Sequence, residues 1–247
     1  MPLRETEAVV LRTHRLGEAD KIASLFTRQL GRLRAVAAGA QRPKSRYGGT
    51  LEPLSYIRLW LFERENRDLL RINSTELVES FFEMQKEYRV QVATQYLAEV
   101  TERFLPEREI NERAFRLLLA ALRALKHVRE TQRPLVYFNY WLLRLGGFLP
   151  DLARCATCGR EIAGEGFYGP GSEGLLCASC RPPHANRAVG VDTLGGIASA
   201  CQGTLERWLT SEQAPTTLGE ARGFLEEVIE AHLERKLVTR QLLNEEA

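Results

Sequence analysis

From Thr6 to about Val78 apolar and polar residues alternate with a period of two, the mark of strands that turn one face inward. Ala8–Leu11 reads as a first strand and Lys21–Thr27 as a second, after a turn at Gly17. Gly31–Ala38 reads as a third, with Arg32 and Arg34 on one face and Leu33 and Ala35 on the other. A loop from Gly39 to Gly49 precedes a long fourth strand, Tyr56–Phe62, and Leu69–Ile72 begins a fifth. About five short strands in this length suit a small Greek-key barrel, of which the OB-fold is one. Periodicity supports an all-β unit without choosing among such barrels. In the fourth strand Tyr56, Arg58, Trp60 and Phe62 share the face opposite Ile57, Leu59 and Leu61. Those aromatics are expected to pack the barrel against the helices that follow; stacking on nucleic-acid bases is the alternative.

Beyond residue 80 the period becomes 3.6. Ala93, Tyr96, Leu97, Val100 and Phe104 fall on one helical face, as do Phe115, Leu118, Leu119 and Leu122. Pro106 and Pro134 separate helices, and Leu135, Phe138, Leu142 and Leu145 carry the pattern to Gly146-Gly147. Pro215-Thr216-Thr217 with Glu220 resembles a capping box, opening a helix whose apolar face runs Ala221, Leu225, Val228, His232. That histidine is expected to be a satisfied core residue. The pattern predicts an α+β chain: an all-β domain over 1–80, then a helical domain over 81–247.

The helical pattern is interrupted at about 150–185 by Cys155-Ala-Thr-Cys158 and, after eighteen intervening residues, Cys177-Ala-Ser-Cys180. Two Cys-x-x-Cys knuckles at this spacing are the pattern of a four-thiolate zinc site, each knuckle aiming two sulfurs at one point. Gly159 suits the first turn, Arg181 stands at the equivalent place after the second, and the glycine-rich spacer is expected to fold back as a hairpin. A shell closed by Cys155, Cys158, Cys177 and Cys180 leaves Zn²⁺ no open position, which makes the metal structural. Two disulfides or an iron–sulfur cluster would use the same cysteines. His184 is expected to be a surface residue, and the fifth cysteine, Cys201, a buried and inert thiol.

Composition changes the picture at one point only. Residues 1–80 hold 14 Lys+Arg against 10 Asp+Glu, whereas the remainder holds 20 against 22, so the net +2 is an N-terminal property. Within it, Lys21 to Leu51 contains seven basic residues (Lys21, Arg28, Arg32, Arg34, Arg42, Lys44, Arg46) and no acidic one. Such a run on a small barrel suits a phosphate backbone, and its tip from Ala40 to Gly49 is expected to be a flexible loop. Gly39 to Lys44-Ser45 echoes a Walker A loop but has Pro43 where a second glycine is needed. No nucleophile elbow, His-Glu-x-x-His or clustered carboxylate set is present, which favours a binder over an enzyme. No run of eighteen apolar residues predicts a membrane span, and neither a secretory leader nor disulfide-type cysteine usage is evident, so a reducing cytoplasm is expected.

The ordered motifs Glu7-Ala-Val-Val-Leu-Arg-Thr, Gly17-Glu-Ala-Asp-Lys21, Thr27-Arg-Gln-Leu-Gly31, Gly39-Ala-Gln-Arg-Pro-Lys-Ser45 and Leu51-Glu-Pro53 resemble the N-terminal half of the bacterial recombination mediator family RecO. The likeness continues through Leu145-Gly-Gly-Phe-Leu-Pro150, the cysteine unit with Gly174-Leu-Leu-Cys177, and Lys236-Leu-Val-Thr-Arg240-Gln-Leu-Leu. The resemblance implies an N-terminal OB-fold, a helical C-terminal domain and an inserted zinc module. It also implies a non-catalytic, nucleoid-associated role in recombinational repair: binding single- and double-stranded DNA, annealing complementary strands and acting with RecR. Together these would help RecA replace single-strand-binding protein. The alternatives are a protein-interaction scaffold, in which Arg113, Arg116 and Arg123 would hold an acidic tail, and an RNA-binding OB protein.

Overall fold

The computed structural model describes residues 3–62, 69–127, 130–169, 171–185, 187–200, 203–210 and 215–245. Cys201 lies outside them. The alternating segment closes into a barrel of five strands: β1 (Leu3–Leu16), β2 (Asp20–Thr27), β3 (Gly31–Ala37), β4 (Tyr56–Phe62) and β5 (Leu69–Glu79). Around the barrel their order is β1-β2-β3-β5-β4, with β3 and β5 parallel and the other pairings antiparallel, the arrangement of an OB-type fold. Closure falls to β1. Its residues Leu3–Val9 pair with β4 and Ala8–Leu16 with β2, across a register shift between Val10 and Arg12. A strand long enough to serve two neighbours removes the exposed edge an open sheet would have. Ala8–Leu11 was its apolar centre; the polar residues that extend it at both ends carry no hydrophobic signal.

Alternation sends Ala8, Val10, Ala23, Leu25, Leu33, Ala35, Ile57, Leu59, Leu61 and Ile72 into the barrel core. Tyr47 and Leu51, from the segment before β4, join that core. The buried phenol of Tyr47 donates to the carbonyl of Ile72 at 3.1 Å, which satisfies its one polar atom.

Helices α1 (Tyr88–Phe104) and α2 (Glu112–His127) follow, and packing divides the chain into two compact units. One holds Met1–His127 with Gln241–Ala247, the other Val128–Arg240, so α1 and α2 go with the barrel. The expected apolar faces of α1 and α2 are buried. Phe115 of α2 meets Phe26 of β2 and Tyr56 of β4 edge-on, at ring-centroid distances of 5.6 and 6.2 Å. Tyr56 thus packs against a helix as its strand face predicts. Trp60 instead stays half-exposed and donates its indole N–H to Glu5.

The second unit contains α3 (Gln132–Gly146), the two-stranded sheet β6 (Glu165–Tyr168) and β7 (Arg187–Gly190), α4 (Val191–Ala200), α5 (Leu205–Leu209) and α6 (Pro215–Leu233). Helix α3 ends where the glycine pair predicts: Gly147 takes φ 78° and its N–H, with that of Phe148, reaches back to the carbonyls of the last turn. Helix α6 starts at Pro215, and its Ala221, Leu225 and Val228 are buried. His232 departs from expectation. It is exposed, and its ring lies against Phe148 with centroids 3.5 Å apart. A last helix, α7 (Val238–Glu245), completes the chain.

Candidate nucleic-acid interface and metal centre

The acid-free run from Lys21 to Leu51 does not remain free of acid once folded. Arg28 pairs with Glu7 at 3.0 Å and with Glu112 at 2.6 Å. The hydrogen bond from Arg28 holds the Glu112 carboxyl below its usual range. Glu107 accepts from Arg32 at 3.2 Å and lies 3.5 Å from Arg34, while the Arg32 Nε donates to the carbonyl of Leu105 at 3.0 Å. Lys21 is 3.8 Å from Glu52. Four of the seven predicted cations therefore meet carboxylates from outside the run: Glu7, Glu52, Glu107 of the α1–α2 connection and Glu112, the first residue of α2.

That connection is fastened to the barrel by its backbone as well. The Arg108 N–H donates to the Arg32 carbonyl at 2.8 Å, and Gly31 packs directly on Glu109. Gly31 has φ +69°, and a Cβ there would lie 2.3 Å from the Glu109 oxygen, so only glycine fits. The outer side of β3 is consequently occupied by the protein's own acidic strap.

Arg42, Lys44 and Arg46 are in a different situation. All three are exposed, and among the described residues none has a carboxylate within ion-pair distance. The segment carrying them is pinned, contrary to the expected flexibility. Successive tight turns run from Ala37 to Gly48 through the bonds Ala40 to Ala37, Arg42 to Gly39, Ser45 to Arg42 and Gly48 to Ser45. The Asp20 carboxylate accepts from the Gly39 N–H at 2.8 Å, and the Gln41 side-chain amide donates to the Asp20 carbonyl at 2.7 Å. At the other end Tyr47 is sunk in the barrel core, and the Arg46 guanidinium bonds its hydroxyl at 3.0 Å. These anchors hold the three cations on one loop, so little ordering would be left for a bound polyanion to impose.

Sequence reasoning missed a cation beside this loop, Arg15. Thr13, His14, Arg15, Lys21, Ala40 and Gln41 line a cleft of about 430 Å³ beside the loop. Arg15 stands directly opposite Lys21 in the β1–β2 ladder, and it too lacks an ion pair among the described residues. Like charges placed opposite each other disfavour the strand pair, a local cost that an anion relieves. The signal was available in the mirror spacing of Arg15 and Lys21 about the Gly17 turn.

The four cysteines converge. The sulfurs of Cys155, Cys158, Cys177 and Cys180 all lie within 4.8 Å of one another, and Cys158 and Cys177 are 3.8 Å apart. A disulfide needs about 2.05 Å. Four thiolates at about 2.3 Å from one tetrahedral ion lie roughly 3.8 Å from each other, so the cluster is compatible with a metal centre. Gly159 takes φ +70° and donates to the Cys155 carbonyl at 2.9 Å, which closes the first knuckle as predicted. The second closes through the Cys180 N–H to the Cys177 carbonyl at 3.0 Å, without a glycine. The spacer does fold back: Phe167 and Leu176 exchange two backbone hydrogen bonds, and Ala156 donates to Leu175. Burial pushes the Cys155 thiol up, but backbone N–H groups of Cys158, Cys177 and Thr157 outweigh it and bring the thiol down to about 6. His184 is not part of this cluster; it lines a separate cavity with Tyr168 and Arg187.

An OB-type barrel with a pinned cationic loop, followed by helices around a four-cysteine module, places the chain among proteins of DNA repair once it is compared with known sequences. The profile described as Recombination protein O N terminal matches residues 1–81, and Recombination protein O C terminal matches residues 85–241. The chain is 36% identical to the DNA repair protein RecO of Koribacter versatilis, over 98% of each chain. It is 35% identical to the RecO of a Nocardioides species, over 95% of this chain and 96% of that one. With the RecO of Anaeromyxobacter sp. strain K the identity is 32%, over 96% of this chain and 94% of that one. The chain belongs to the RecO family of DNA repair proteins.

Proposed function

We propose that the chain is a non-catalytic recombination mediator of the bacterial cytoplasm. In this reading it binds single- and double-stranded DNA and anneals complementary strands. With RecR it helps RecA load onto DNA coated by single-strand-binding protein. Membership of the RecO family supports the repair context, and Arg42, Lys44 and Arg46, exposed on an anchored loop with no ion pair among the described residues, carry the DNA-binding part. Each cation that neutralises a phosphate releases counterions, so binding by this loop is blind to base sequence and steeply salt-dependent. Annealing follows from the same physics: two polyanions approach more readily when protein cations screen their repulsion, a process that needs no nucleotide hydrolysis.

In this reading the cysteine cluster holds Zn²⁺ as a brace. All four donors come from protein, so the ion has no open position and supplies folding free energy rather than chemistry.

Titrating the intact chain with single-stranded DNA across a salt series tests the loop. Replacing Arg42 and Lys44 with Ala is expected to weaken binding alike for unrelated sequences and to shallow the log K against log salt slope by about 1 to 2. An unchanged slope would remove the loop from the interface.

A further inference from the structure

Helix α2 turns a second, separate row of basic side chains outward. At 100° per residue, positions 113, 116, 120, 123 and 127 fall within a sector of about 80°. Arg113, Arg116, Arg123 and His127 occupy four of them and are exposed, with the half-buried Ala120 between. From Arg113 to Arg123 the row runs about 15 Å along the helix. The only carboxylate on α2, Glu112, is engaged by Arg28. Arg123 and Lys126 share the single carboxylate of Glu79, at 2.9 and 3.5 Å. Arg113 and Arg116 have no ion pair among the described residues.

The opposite side of α2 fixes where this row stands. Phe115 seats the helix on Phe26, near the end of β2, whereas Asp20 at the start of β2 holds the cationic loop. Six residues of strand separate those points, a distance of about 20 Å. All of this lies within the unit Met1–His127. The cations between, Arg28, Arg32 and Arg34, are neutralised by Glu7, Glu107 and Glu112. Two basic surfaces about 20 Å apart exceed the Debye length of roughly 10 Å at 0.1 M salt, so neither adds appreciably to the potential of the other.

We infer that the outward face of α2 is a second track for polynucleotide backbone, letting one chain hold two stretches of strand at once. The inference rests on the DNA-binding reading above and adds to it the means by which two strands are kept in one place. A phosphate backbone suits this face better than an acidic peptide does. Among the described residues no exposed large hydrophobic side chain lies on α2 itself, the nearest being Ile110 ahead of it and Leu77 and Val78 beside Glu79, whereas basic side chains along one rigid line can follow a chain of repeating charge.

Native mass spectrometry of the full chain with an oligonucleotide of about 8 nucleotides, within the site size of one OB-fold, counts the tracks. Wild-type protein is expected to take up two oligonucleotides per chain. Arg113→Glu with Arg116→Glu should retain the first and weaken the second at least about tenfold, and Arg42→Ala with Lys44→Ala should lose the other one. If the charge-reversed variant melts below wild type, Arg113→Ala with Arg116→Ala makes the same test with a smaller perturbation. One oligonucleotide per wild-type chain overturns the second track and leaves the loop standing, as do two that ignore the α2 substitutions. Displacement of the second oligonucleotide by a polyglutamate peptide at equal charge concentration assigns the face to acidic peptides and overturns the inference as well. Absence of any binding sinks the loop reading together with it.

Discussion

Arg28, Arg34, Arg42 and Lys44 come from one acid-free stretch of sequence, yet they end in different electrostatic surroundings. Arg28 and Arg34 face Glu112, Glu7 and Glu107; Arg42 and Lys44 face solvent. Local sequence reveals how many cations a segment carries but not which carboxylates arrive from 70 or more residues away. A residue-scale prediction also arises in the other unit, where Glu226 is fully buried between Arg222 and Arg240. Burial pushes its carboxyl up to about 7 despite both arginines. The folded form therefore holds a proton that the unfolded chain releases at lower pH, so this group's stabilisation is complete below the ordinary carboxylate range and is lost as pH rises through 7. Wild-type melting temperature is expected to fall between about pH 5 and 8 by an amount worth a few kcal/mol at most, a component Glu226→Gln should lack. Equal pH profiles for the two proteins in thermal denaturation would contradict this.

At the scale of elements, the strap between α1 and α2 and the cysteine module each have a clear mechanical role. Replacing Gly31 with Ala forces a side chain into the Glu109 backbone at a positive φ, and chemical denaturation should show a loss of about 2 kcal/mol or more. Such a loss should leave the midpoint of DNA binding nearly unchanged below the new melting point. The cysteine module is held by few apolar residues, chiefly Phe167, Tyr168, Leu175 and Leu176, so in the zinc reading a bound ion would do much of the folding work there. Cys155→Ala, or strong chelation, is expected to lower the melting temperature and solubility before it alters DNA affinity. A fall in affinity with stability intact would put the module in contact with DNA.

Much of this was readable in advance because the relevant signals are local. Cysteine spacing, the Gly159 turn, the strand alternation and the Gly146-Gly147 stop each depend on residues within a few positions of one another. The strap was not readable, since its glutamates belong to an unremarkable connection and act through tertiary contact. Nor was the stiffness of the cationic loop, which depends on Asp20 and on a buried Tyr47.

For the whole molecule, folding sorts the N-terminal positive charge. It discharges the barrel's β2–β3 side and leaves Arg42, Lys44 and Arg46 of the anchored loop with no ion pair among the described residues, as it does Arg113 and Arg116 of α2 beyond it. Net charge changes little in that sorting; the places where a polyanion finds unpaired cations change a great deal. The most direct measurement compares the salt dependence of single-stranded DNA binding by the intact wild-type chain with that of two double variants. Arg42→Ala with Lys44→Ala should lower the log–log slope by about 1 to 2, while Arg28→Ala with Arg34→Ala should change it by less than about half a unit. A slope that falls more for the Arg28 and Arg34 variant than for the loop variant would show that DNA displaces the acidic strap, and would contradict the account.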